Sequence, residues 1–257
     1  MQDQGSDAVS MFDRHFLVER ADNQSALQEA QRLRHQVFRL ERGILPGHAQ
    51  ARLEADEFDH ASHHVILRQR RSGQAVGTAR LIVGGWQDGR IGGFPMLRYC
   101  APGMLRDLPM GTTAEISRFA LSKVRRQGGA CMDGLLRYGL MRGILRISLD
   151  LGLTHWCALM EPSLLRLLRV AGIDFAPLGP AVEAHGLRQP SAAAITRILA
   201  DGAHRCPELY GFVAGAERTA CHRRWGSGAG HAFHGMAGDG VARADHNRLA
   251  QARVQAA

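Results

Sequence analysis

Residues 112–123 read TTAEISRFALSK. Thr, Ile, Phe and Leu at these spacings suit a pleated, half-buried strand, yet Glu115, Ser117 and Arg118 sit in its middle. Taking a neutral polar group out of water costs roughly 2–7 kcal/mol, and a charge costs more, unless the group finds a partner or a task. A fold that buries this strand must therefore bring counter-charges to it. Strict alternation puts Glu115 and Ser117 on one face and Arg118 on the other. Either a bulge re-aims one of them, or Arg118 meets its partners from the opposite side.

The flanking sequence supplies the rest of an α/β domain. Residues 1–11 read as loose chain, and FDRHFLVE at 12–19 as a first strand. A helix follows over SALQEAQRLRHQVFRLERG, with a capping box at Ser25 and Gln28, apolar residues at helical spacing and Gly43 as the stop. Residues 44–62 form a loop that carries Glu54, Asp56, Glu57 and Asp59. HHVILRQRRSGQAVGTARLIVGG reads as two strands around a turn, and the Gly- and Pro-rich residues 84–111 as a long loop. Beyond the polar strand come a helix over 133–151, a strand at 154–160 and a helix opened by Pro162. DFAPLGPAVEAHG then reads as a strand and SAAAITRILADGAH as a helix. Gly139 and Gly143, four apart in the 133–151 helix, suggest close backbone packing. The element order predicts one α/β domain over 12–213, with a mixed central sheet and helices on both faces. Residues 214–257, rich in Gly, Ala and His, read as a low-complexity, disordered tail.

Composition narrows the function classes. The net charge is +8 and Lys123 is the only lysine. Such a balance is compatible with an acidic partner, but no Lys/Arg block with interleaved aromatics appears, which argues against nucleic acid. The five cysteines, Cys100, Cys131, Cys157, Cys206 and Cys221, are odd in number and scattered. They suit a reducing, cytoplasmic setting rather than a disulfide framework or a zinc site. The histidines at 222, 231, 234 and 246 match no metal-site spacing, so no metal is expected. No run of about 18 apolar residues exists to cross a membrane.

Four clusters remain: LRHQVF with Arg34 and Phe38, EADEFD with Glu54, Asp56 and Asp59, VGTARL with Arg80, and EISRF with Glu115, Ser117 and Arg118. In this order and spacing they resemble the autoinducer synthases that make acyl-homoserine lactones and the related long-chain N-acyl amino acid synthases. The run HWCALMEPSLLRLLRVAGIDFAPLGPAVEAHGLRQPS is similar to acyltransferases associated with PEP-CTERM/exosortase systems. The resemblance covers roughly residues 12–213 and implies the GNAT acyltransferase fold, a mixed sheet splayed to admit a pantetheine arm.

The resemblance also implies roles. Arg34, Asp56, Asp59, Arg80, Glu115 and Arg118 would form a buried ion-pair network. Glu115, with Ser117 and Arg118 beside it, would be catalytic, the carboxylate taking a proton from an amine nucleophile. Phe119 and Leu121 on the splayed strand would bind the acyl donor. So would Arg125, Arg126, Gly128 and Gly129, whose RRQGGA run fits a phosphate loop in which glycines and a helix N-terminus present N–H groups. Phe38, Trp156 and Met160 would line the substrate pocket. The helix SLLRLLRVAG lacks the tyrosine that many GNAT enzymes use to protonate the leaving thiolate; a thiolate leaves tolerably without it. Cys157 reads as a small buried residue rather than an acylated nucleophile.

The function expected is N-acyl transfer from acyl carrier protein or acyl-CoA to a small amino acid-like acceptor, with no permanently bound cofactor. The carrier protein and the acceptor are the expected partners. Two alternatives stand beside it. One is an acyl-homoserine-lactone synthase using S-adenosylmethionine, against which stands the absence of a Trp after Phe38. The other is a catalytically silent acyl-binding protein.

Overall fold

The computed structural model describes residues 4–45, 52–87, 90–125, 130–205 and 207–215. All of these fall within one unit, Met1–His222. The 214–257 tail lies outside the described residues beyond 215, as do its four histidines, Cys206 and Cys221.

The chain opens with helix α1 (Gln4–His15), strand β1 (Phe16–Arg20) and helix α2 (Gln24–His35). Helix α1 stands, from Gln4 on, in place of the loose chain expected at 1–11 and takes the first half of the strand expected at 12–19, whose second half is β1. Phe12 is the reason: it is fully buried and packs against the rings of Phe16 and Phe212. The N-cap of α2 is Asn23, whose Oδ1 accepts from the Ala26 N–H at 2.9 Å, so the helix starts before the capping box read at Ser25. After His35 the helix widens into a π-turn over Gln36–Glu41.

Strands β2 (Ser62–Gln69) and β3 (Ala75–Val83) form the expected hairpin. Residues 84–112 are no open loop. They hold a small ribbon, β4 (Gly85–Gln87) with β5 (Arg90–Gly92), then three short 3-10 turns. Phe94, Met96, Cys100, Leu105 and Met110 from this segment build a core cluster with Ile82, Cys157 and Ala192. Strand β6 (Thr113–Leu121), helix α3 (Ala130–Asp150), strand β7 (His155–Met160) and helix α4 (Pro162–Val170) follow. Short β8 (Ala176–Pro177) and β9 (Val182–Glu183) lead to β10 (Leu187–Ala194), α5 (Ile195–Arg205) and α6 (Pro207–Tyr210). The SAAA run thus ends a strand instead of starting a helix. Antiparallel pairing of Ser191–Ala194 with His155–Ala158 outweighs the helical preference of alanine.

The mixed sheet runs β1-β2-β3-β6-β7-β10-β8, with β9 paired to β10. Helix α2 and the π-turn after it lay Ala30, Leu33, Val37 and Phe38 on Ile66, Ala75 and Ala120. Helix α3 covers the other face. A Cβ on Gly143 would lie 2.5 Å from Val65 and 2.7 Å from Val18, so the glycine sets how closely α3 approaches the sheet. The fold is therefore an α/β mixed sheet with helices on both faces.

Two local departures shape the centre. Strands β6 and β7 are parallel, but they pair only from Thr113↔His155 to Glu115↔Cys157 and then diverge. On its other edge β6 is bulged: Arg80 pairs with Ser117 and Thr78 with Ala120, leaving Arg118 and Phe119 opposite Ala79 alone. Arg118 has φ +51°, a left-handed conformation rare outside glycine.

Candidate active site

The bulge resolves the facing problem posed by the polar strand, because it turns Arg118 towards the acidic loop that Arg80 also meets. Arg34, fully buried on α2, donates to Asp59 Oδ1 at 2.8 Å and Oδ2 at 2.5 Å and pairs with Glu54 Oε2 at 2.7 Å. Arg80, fully buried on β3, reaches Asp59 Oδ1 at 2.8 Å and Asp56 Oδ1 at 2.5 Å. Arg118 donates to Asp56 Oδ2 at 2.8 Å and Glu54 Oε1 at 2.9 Å. The six groups close a ring in which every carboxylate bridges two arginines. Gln31 adds a donor to Asp59 Oδ2 at 3.0 Å, and Arg80 Nε donates to Ser117 Oγ at 3.0 Å.

Three cations and three anions cancel, which is what makes the burial tolerable. Burial opposes ionisation of Asp59, but the hydrogen bond and charge of Arg34, with help from Gln31 and Arg80, hold its carboxyl well below the usual range. Burial likewise acts against Asp56, and Arg80 and Arg118 outweigh it. Burial disfavours the Arg80 cation, yet Asp56 and Asp59 raise its pKa further.

Glu115 stands outside the ring. It is 3% exposed, and its Oε2 accepts from the Met96 N–H at 3.0 Å. The arginines are already neutralised by their own acids, so burial dominates. It pushes the Glu115 carboxyl up to about 8, against the pull of the Met96 N–H, Arg80 and Arg118.

Where β6 and β7 diverge, a cleft of about 770 Å³ opens. Glu115, Ser117, Arg118, Phe119, Leu121, Phe38 and Met160 all line it, as does Asp56 of the ring. Trp156, expected in the pocket, does not line it. It lies where β6 and β7 are still paired, stacked on Phe175 with its Nε1–H donating to Ser148 Oγ at 2.8 Å. Arg125 is also off the cleft, its guanidinium directed at the Ala75 carbonyl. Arg126, Gly128 and Gly129 lie outside the described residues. Cys157 is fully buried beside Glu115, and burial, with Glu115 and Cys100, raises its thiol well above the ordinary value. A thiol so held is a poor nucleophile.

The cleft adds residues to which sequence reasoning assigned no role. Tyr99 Oη lies 3.3 Å from His185 Nε2, and both line the wall facing β6. Glu161, at the end of β7, pairs with Arg42 and with Arg188 at 3.1 Å. His185 and Arg188 belong to the HG…RQP run, the most specific part of the resemblance, so that run was a usable signal. Tyr99 and Met96 had none, because the 84–112 segment shows no period.

Among the described residues, no cluster of three or more His, Cys, Asp or Glu is placed to hold a metal, and no helix is long and apolar enough to cross a membrane.

Residues 33–136 match the family model for the acetyltransferase (GNAT) domain. A search of curated protein sequences finds no match. Solved structures with the same fold include the AHL synthase LasI, at 21% identity and TM-score 0.54 over 70% of this chain and 89% of that one. The CoA-dependent acyl-homoserine lactone synthase BjaI aligns at 21% identity and TM-score 0.57, over 77% and 89%. FeeM, an N-acyl amino acid synthase from uncultured soil microbes, aligns at 16% identity and TM-score 0.54, over 72% and 93%. The ionic ring, the buried glutamate and the splayed strands are thus carried by a chain whose residues 33–136 match the acetyltransferase (GNAT) domain model and whose fold is similar to that of these synthases.

Proposed function

We propose that the chain is an N-acyltransferase that moves a fatty acyl group from a pantetheine thioester, on acyl carrier protein or coenzyme A, to the amine of an amino acid-like acceptor. One observation carries this reading. A buried carboxyl outside the ionic ring, with a pKa raised to about 8, lines the cleft between two diverging strands. A base of that strength suits the proton that an attacking amine loses. The unpaired edge of β6 supports the donor side, since a pantetheine arm can hydrogen-bond there as an added strand.

The amine nitrogen attacks the thioester carbonyl while its proton passes to Glu115. Backbone N–H groups near Phe119 to Leu121 hold the oxyanion of the tetrahedral intermediate. The C–S bond then breaks, the amide carbonyl reforms, and the thiolate recovers the proton from Glu115 directly or through water. Ser117 and Arg118 tie this strand to the ring, and the ring keeps β3, β6 and the acidic loop in register. Phe38 and Met160 contribute apolar wall for the acyl chain.

A second reading is supported by the likeness to LasI and BjaI: an acyl-homoserine-lactone synthase using S-adenosylmethionine. The product separates the two. The test is mass spectrometry of lipid extracts from cells expressing the wild type and Glu115→Gln. New N-acyl amino acids in the wild type, lost in the variant, are expected. Acyl-homoserine lactones would transfer the assignment to the second reading. No new lipid from folded protein, with acyl thioester still bound, would make it a silent acyl-binding protein.

A further inference from the structure

The π-turn Gln36–Glu41 ends in Glu41, which bonds the chain just after β6, and the next residue, Arg42, lines the cleft. The Glu41 carboxylate accepts from the Lys123 N–H at 2.6 Å and from the Ser122 hydroxyl at 2.5 Å, and Gln36 Nε2 donates to it at 3.3 Å. Its neighbour Arg42 pairs with Glu161 at the end of β7. The wider turn produces this placement: the Arg42 N–H bonds the Val37 carbonyl, five residues back, so an extra residue is accommodated before the helix ends. Ser122 and Lys123 directly follow the splayed strand, Lys123 lines the cleft, and the chain then runs into the N-terminus of the 21-residue helix α3. A phosphate-bearing donor head entering between β6 and β7 would seek such N–H groups. Here a carboxylate already holds one of them.

We propose that Glu41 is a donor-specificity residue: its fixed negative charge at the end of β6 favours a donor head bearing a single phosphodiester, as in carrier-bound phosphopantetheine, over coenzyme A. This inference rests on the acyltransferase reading above. Coenzyme A carries a diphosphate and a further phosphate monoester, so like-charge repulsion from Glu41 bears on it most heavily. A single phosphodiester can sit beside Arg42 and Lys123 without displacing the carboxylate. Acyl-pantetheine, which has no phosphate, is indifferent to the charge and serves as the reference donor.

The experiment measures thiol release from acyl-pantetheine, the methyl phosphodiester of acyl-4′-phosphopantetheine (below, acyl-phosphopantetheine) and acyl-CoA of one chain length, with a mixture of amino acids as acceptors. Wild type, Glu41→Gln and Ser122→Ala are compared. Glutamine keeps the length and one acceptor of Glu41; if that variant fails to fold, Ser122→Ala removes one of the three donors that hold the carboxylate and should shift the donor ratio in the same direction by less. In the wild type, kcat/KM for acyl-phosphopantetheine should exceed that for acyl-CoA. In Glu41→Gln the ratio of kcat/KM for acyl-CoA to that for acyl-pantetheine should rise about tenfold, mostly through KM. A wild type that uses both phosphate donors equally, or a variant that shifts all three donors alike, overturns the proposal. If the wild type turns over no donor, the acyltransferase reading fails on its own account. Calorimetric binding of coenzyme A then decides the role of Glu41: tighter binding to Glu41→Gln supports it, and equal binding refutes it.

Discussion

The Met96 backbone N–H donates to Glu115 Oε2 at 3.0 Å. Met96 is fully buried in the segment that packs over β6, so this contact covers one side of the carboxyl while the cleft reaches the other. Burial raises the Glu115 pKa to about 8. As a general base Glu115 must be ionised, so kcat/KM should rise with pH to a plateau, with a midpoint near 8. Glu115→Gln should lose about 10²- to 10⁴-fold and lack this limb of the profile. A variant with the wild-type rate and profile would reduce Glu115 to structural support.

The same carboxyl makes stability depend on pH. Its folded pKa of about 8 lies above the ordinary carboxyl value of 4.5, so between those values the folded state binds more protons than the unfolded chain. The contribution is complete below the lower value and is lost as pH rises through the upper one. Urea midpoints should therefore fall across this window, and Glu115→Gln should flatten the fall. An equally steep fall in the variant would assign the effect to other groups.

The ring predicts a graded response to truncation. Arg34 is 0% exposed and Arg118 26% exposed at the side chain. Arg34→Met leaves Asp59 and Glu54, both 5% exposed, with one arginine each and an uncompensated charge in the interior, and should cost about 3–5 kcal/mol. Arg118→Met leaves Asp56 and Glu54 with their other arginines and nearer to water, so its cost should be smaller. Urea unfolding of the two variants checks the order, and a larger loss for Arg118→Met would contradict the ring as drawn.

Gly143→Ala should destabilise although alanine favours helix by about 1 kcal/mol. The added Cβ meets Val65 at 2.5 Å and Val18 at 2.7 Å, and overpacking of this kind costs about 1–3 kcal/mol. The thermal midpoint should drop, and adding Val18→Ala should restore part of it. A rise in the midpoint for the single variant would mean that α3 can lift from the sheet freely.

Much of the local structure is legible in the chain because burial alternates with the period of each element. The 133–151 pattern locates α3 to within a few residues, and HWCALM locates β7. Leu136, Leu140, Ile144 and Ile147 are the fully buried face of α3, whereas Leu151 falls past its end and is exposed. The segment 84–112 was illegible for the opposite reason. It packs by irregular turns, and its buried methionines and phenylalanine repeat with no period.

Sequence by itself determined that β6 would carry charge into the sheet, and which arginines and acids were available to meet it. That information is local: residue type and spacing set what must be compensated. Tertiary structure alone decided how. A register shift against β3 put Arg118 into a left-handed conformation that closes the ring. Pairing with β7 drew SAAA into a strand, and the end of the β6–β7 pairing left Trp156 in the core while Met160 reached the cleft. Glu54 and Arg118 are 64 residues apart, and Arg42 and Glu161 are 119 apart. No period along the chain encodes such pairs, because their choice depends on the register of strands that meet only in the folded sheet.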